Sequence, residues 1–122
     1  MGVQKLGARV LFIEKKGVKN MVETLKQEVR KFLADVPEEY VFRCCDGHTL
    51  RNMKELGDVL KTMKEETYVS HANTEKNDFT NWVRDIIKDG MLAKDLQKAT
   101  TPAQADRFVA NRMVVLTERS LA

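Results

Sequence analysis

Two small groups of residues have the types and spacing to do chemistry. The first is His71, Asn77, Asp78 and Trp82, inside the stretch HANTEKNDFTNWVRDIIKD at 71–89. A histidine and an aspartate can move protons, and a tryptophan can stack on a flat ligand. The second is Cys44, Cys45, Asp46 and His48. Thiols, imidazoles and carboxylates are the donors a metal ion takes, and a thiol beside a histidine is the start of a nucleophile.

Each group also has a simpler structural reading. Asn77-Asp78 caps a helix, Trp82 fills a core, and His71 makes one structural hydrogen bond. Cys44 and Cys45 are adjacent, and neighbouring side chains on an extended chain point to opposite faces. No second cysteine pair completes a four-ligand zinc site, which argues against a metal. No surrounding signature makes a nucleophile of either thiol with His48 or His71 as base. An enzyme built on His71, Asp78 or Cys45 would need a polar pocket beside Trp82. The expectation is a non-enzyme with no cofactor, no metal, and His71, Asn77, Asp78 and Trp82 as a signature cluster.

Helices must position these residues. Phe79, Trp82, Val83, Ile86 and Ile87 fall at i, i+3, i+4, i+7 and i+8, one apolar stripe. Asn77 or Asp78 is the N-cap, Lys88 lies in the last turn, and Gly90 is the expected stop. Val18, Met21, Val22, Leu25, Val29, Phe32, Leu33 and Val36 predict an earlier amphipathic helix over about 18–34, ended by Pro37. Its seam approaches a heptad but is too short for a coiled coil on its own. Tyr40 to Cys44 is β-prone, Asp46-Gly47 is a turn signal, and His48-Thr49-Leu50 returns, which predicts a small hairpin. Asn52 caps a helix bearing Met53, Leu56, Val59, Leu60 and Met63. A short helix with Tyr68 as its anchor follows over about 65–72. Met91, Leu92, Leu96 and Ala99 predict another. Thr101-Pro102-Ala103-Gln104 then opens the last helix as N-cap, N1 and capping box. In that helix Ala105, Phe108, Val109, Met113 and Leu116 face inward, and Arg107, Arg112 and Arg119 are left to join a basic face.

The net charge is +3 over 122 residues, but it is uneven. Residues 1–34 hold eight Lys/Arg against three Glu, and residues 35–40 hold three acids and no base. The basic residues Lys15, Lys16, Lys19, Lys26, Arg30 and Lys31 are the candidate partner-binding positions. They suit an anionic partner or a solvated helix face. No aromatic residues are interleaved with them, which weakens single-strand binding. No apolar run approaches the ~20 residues of a membrane span. Residues 8–13 are too short for a signal peptide, and Leu6 stands where a myristoylation motif wants Ser or Thr. The two adjacent cysteines exclude a long-range disulfide framework. A cytoplasmic protein without a membrane partner is expected.

A resemblance runs through Phe42, Asp46-Gly47, Leu50-Arg51-Asn52-Met53-Lys54-Glu55-Leu56, Leu60, Met63, Glu66, Tyr68, His71, Lys76-Asn77-Asp78-Phe79, Trp82-Val83, Asp85 and Leu92-Ala93. This series resembles a small, chiefly archaeal domain family of unknown function, over about residues 41–99. His…Asn-Asp-Phe…Trp is its most specific part. The paired Cys44-Cys45 and Ala72 depart from the family pattern. The family brings no assigned activity. The resemblance implies one compact helical module.

The resulting expectation is a mainly α bundle of about five to six helices with a short hairpin near 40–50. Residues 1–39 form a basic amphipathic N-terminal helical segment and 40–122 a helical domain. The leading function is a non-catalytic interaction module, protein-binding or self-associating through the N-terminal helix. The alternative is nucleic-acid binding, ribosomal or chromatin-associated, through the same basic helix.

Overall fold

The computed structural model describes residues 23–121, and the fold is mainly α with one two-stranded antiparallel sheet. Helix α1 occupies 23–33 of the described residues. A 3-10 turn at Glu38–Tyr40 leads to β1 (Phe42–Arg43) and β2 (Thr49–Leu50), then α2 (Met53–Thr62) and α3 (Glu65–His71). Helix α4 (Asp78–Trp82) continues as a π turn, Val83–Ile87. Helices α5 (Gly90–Lys98) and α6 (Pro102–Leu121) complete the chain order. Among the described residues, no helix is long and apolar enough to cross a membrane.

The hairpin pairs Phe42 with Leu50 and Arg43 with Thr49. Period-two alternation sends Phe42 and Leu50 into the core and leaves Arg43 outside. The turn closes with Gly47 N–H donating to Cys44 O at 3.0 Å. Gly47 sits at φ 96°, a conformation that side chains resist. Helix α2 packs chiefly on α6. At the crossing a Cβ on Gly57 would meet Val109 Cγ1 at 3.1 Å, so glycine sets how closely the two helices approach. Leu56, Leu60, Tyr68, Phe79, Val83, Leu92, Leu96, Val109 and Leu116 are almost fully buried around this contact. Each fully buried aliphatic or aromatic side chain of this size contributes roughly 1.5–3 kcal/mol.

Val29 of α1 is 2 % exposed and lies in the same core, with Phe32, Leu33 and Val36 packed against it. The residues before Pro37 are therefore docked on the body from Val29 onward. Val36 N–H donates to Arg51 O, and Asn52 Nδ2 donates to Asp35 Oδ1, which pins the connection.

The helix starts follow the capping residues. Asn52 accepts from Glu55 N–H, Asn77 from Thr80 N–H, Asp89 from Leu92 N–H, and Thr101 from Gln104 N–H. In α2 and α6 the return bond of the capping box is shifted by one residue. Glu55 Oε1 accepts from Arg51 N–H and Gln104 Oε1 from Thr100 N–H, each one residue ahead of the cap.

The expected stop at Gly90 is not where the central helix ends. Lys88 adopts the left-handed conformation at φ 71°, and Gly90 opens α5. The last turn widens to π geometry, and both Lys88 and Asp89 N–H donate to Val83 O. This early stop lets Asp89 turn inward and cap α5. A lysine in this conformation costs about 1–2 kcal/mol, partly offset in any glycine variant by the greater freedom of the unfolded chain. Lys88→Gly is expected to gain about 0.5–1 kcal/mol net. The check is the urea midpoint at unchanged denaturant slope.

A second correction concerns Arg112. It does not join a basic face. Its Nε donates to Asp89 Oδ2 at 2.6 Å, with side-chain exposures of 10 % and 1 %. Its guanidinium also lies 5.9 Å from the centre of the Phe32 ring. One side chain of α6 thus holds both the start of α5 and the underside of α1. Phe32 is thereby engaged within the fold.

Candidate functional site

Four elements converge on His71, which ends α3 and is buried. Its Nε2 accepts the backbone N–H of Cys45 at 3.0 Å. Its Nδ1 lies 3.0 Å from Asp78 Oδ2 in the first turn of α4. A donor at Nε2 places the proton of the neutral ring on Nδ1, which donates it to Asp78. The ring packs 5.1 Å from Phe42 of β1 and 5.5 Å from Phe79 of α4. Phe79 also stacks on Tyr68, and Phe42 meets the edge of Trp82.

Asp78 takes a second partner, Lys76 Nζ at 3.0 Å. Burial alone would raise the Asp78 carboxyl. The hydrogen bonds from His71 and Lys76, with the Lys76 charge, outweigh it and hold the group below the ordinary carboxylate range. Asn77 caps α4 and donates from Nδ2 to Leu96 O, which ties α4 to α5. Trp82 Nε1 donates to Tyr40 O at 2.8 Å across the body of the fold. The signature residues His71, Asn77, Asp78 and Trp82 are thus brought close together, and their polar atoms serve α3, α4, α5 and the hairpin.

The hairpin turn overturns one step of the sequence argument. The two cysteines do not share one extended run: Cys44 N–H still pairs with His48 O, and the turn begins at Cys45. Turn geometry rotates the two side chains towards one another. Cys44 Sγ, Cys45 Sγ and a ring nitrogen of His71 lie within 4.8 Å of one another. Cys44 is buried and Cys45 exposed. Burial pushes the Cys44 thiol up to about 11, although the Asp46 backbone N–H favours the thiolate. A thiol held so high is a poor nucleophile at neutral pH. His48 stands apart on the surface and pairs with Asp46 at 2.9 Å.

A separate cleft of roughly 600 Å³ lies between the loop after α3, α4 and the end of α5. Asn73, Lys76, Asn77, Thr80, Asn81, Arg84, Gln97 and Thr100 line it, and neither His71 nor Asp78 does. Thr80 Oγ1 is buried there without a protein hydrogen-bond partner. A spacing signal does mark part of this cleft: Asn77, Thr80, Asn81 and Arg84 fall at i, i+3, i+4 and i+7, the polar stripe opposite the buried one.

Of the basic candidates, Lys26 is half-buried, and Arg30 and Lys31 are exposed on α1. Lys15, Lys16 and Lys19 lie outside the described residues, as do the seam positions Val18, Met21 and Val22. No family model matches the chain, and no curated protein or solved structure matches it.

Proposed function

We propose that this chain is a non-catalytic interaction module that binds protein, another chain or a second copy of itself, through its N-terminal helix. One observation carries the reading. The apolar stripe of α1 is covered at Val29, yet one turn earlier Leu25 is 36 % exposed. The same spacing continues in the sequence to Val22, Met21 and Val18. An apolar stripe that serves only its own body has no physical need of an exposed Leu25 one turn from the covered Val29. The commitment of Asn77 and Trp82 to internal hydrogen bonds supports the same reading, because substrate chemistry needs free convergent groups. We also propose that residues 41–99 are a version of the archaeal module they resemble, with this cluster as its fold-defining element.

Recovery of the native protein, with and without nuclease, at two salt concentrations tests the reading. Light scattering of the wild type and of Leu25→Glu accompanies it. The expected result is a partner chain or a self-dimer that survives nuclease and high salt and is lost in Leu25→Glu, with helicity unchanged. Co-purifying nucleic acid that salt removes would overturn it. Lys26, Arg30 and Lys31, with Lys15, Lys16 and Lys19, would then be the phosphate-binding positions.

A further inference from the structure

We propose that Cys44, Cys45 and His71 bind one thiophilic divalent ion, Zn2+ in the first instance, with Asp78 orienting the imidazole. The three ligand atoms already lie within 4.8 Å of one another. Bonds of about 2.3 Å to sulfur and 2.0–2.1 Å to nitrogen would set them roughly 3.5–3.8 Å apart around a tetrahedral ion. The contraction needed is on the order of 1 Å. Cys45 is exposed at the turn and can supply most of it by rotating its side chain.

The histidine is prepared for this role. Its Nδ1–H is held by Asp78 at 3.0 Å, which turns Nε2 and its lone pair towards the cysteines. A carboxylate behind a histidine in this way fixes the tautomer and raises ligand basicity. The native bond that opens is that from Cys45 N–H to Nε2. Two thiolates and a neutral imidazole balance the ion's charge. The two thiol protons leave to solvent as two Zn–S bonds and one Zn–N bond form, and nothing is oxidised or reduced. Three protein ligands with one side exposed leave the fourth position to water. This site is independent of the N-terminal helix and does not rest on the function proposed for it.

The test uses the reduced, chelator-treated full chain titrated with Co2+ as probe, followed by displacement with Zn2+. The expected result is a thiolate-to-cobalt charge-transfer band with tetrahedral d–d bands, saturating at one equivalent and bleached by Zn2+. Cys45→Ser removes much of that band and lowers affinity at least ~100-fold, while Asp78→Asn keeps the spectrum and lowers affinity about 10–100-fold. Circular dichroism verifies that both variants are folded. The proposal is overturned if folded, reduced wild type shows no charge-transfer band. It is equally overturned if Cys45→Ser binds Co2+ with the wild-type spectrum and affinity.

Discussion

Arg112→Met is expected to destabilise the fold by about 3–5 kcal/mol, because it leaves the Asp89 carboxylate buried without its partner. Asp89 is 1 % exposed, so its carboxylate would be left in the interior without the guanidinium. Its other oxygen accepts Leu92 N–H, so the carboxylate cannot swing away without uncapping α5. The loss also removes the cation above Phe32 and loosens α1. The double variant Asp89→Asn with Arg112→Met separates the causes. Asparagine keeps an oxygen for the cap but carries no charge to strand, so most of the stability should return. Urea denaturation of both singles and the double closes the cycle. A single Arg112→Met with a wild-type midpoint would sink the argument. Arg84→Ala is the control. Arg84 pairs with its neighbour Asp85, both more than half exposed, and the midpoint should not move.

His71→Ala is expected to cost about 2–4 kcal/mol, through a cavity against Phe42 and Phe79 and one stranded backbone donor. The stranded group is Cys45 N–H, since Asp78 Oδ2 keeps its bond from Lys76 Nζ. Asp78→Asn should cost less, since the amide oxygen can still accept from Nδ1–H. The same contact predicts a pH dependence. The folded Asp78 carboxyl lies below its unfolded value, so the native state binds fewer protons there. Its contribution is full above the unfolded value of about 3.9 and is lost as pH falls through the lower folded value. The midpoints of wild type and Asp78→Asn should therefore differ at neutral pH and converge at the acid end. A gap that stays constant down to about pH 2 would show that the charge of Asp78 is not what the contact uses.

Much of the local structure was legible from residue types. The hairpin follows from a β-prone run and Asp46-Gly47. Three helix starts follow from Asn52, Asn77, Thr101 and the stripes behind them. The misreadings have a common cause. Gly90 has the composition of a stop, but the chain turns two residues earlier at Lys88, because Asp89 must point inward to meet Arg112. Arg112 reads as one more surface base because its partner is 23 residues away. Extended chain would send Cys44 and Cys45 to opposite faces, but the turn that begins at Cys45 leaves the two sulfurs near one another.

What the sequence by itself determined is therefore the helical class, the hairpin and most of the caps, because each depends on contacts within a few residues. Only the tertiary structure decided that His71 meets Cys45 and Asp78, that Arg112 pairs with Asp89 and lies over Phe32 of α1, and that Leu25 stands clear where Val29 does not. Those meetings join residues 26 positions apart in the hydrogen bond of Cys45 to His71, and much further apart where Arg112 lies over Phe32. Their geometry is set by how α2 lies on α6 and how the aromatic cluster packs, and no periodicity along the chain encodes it.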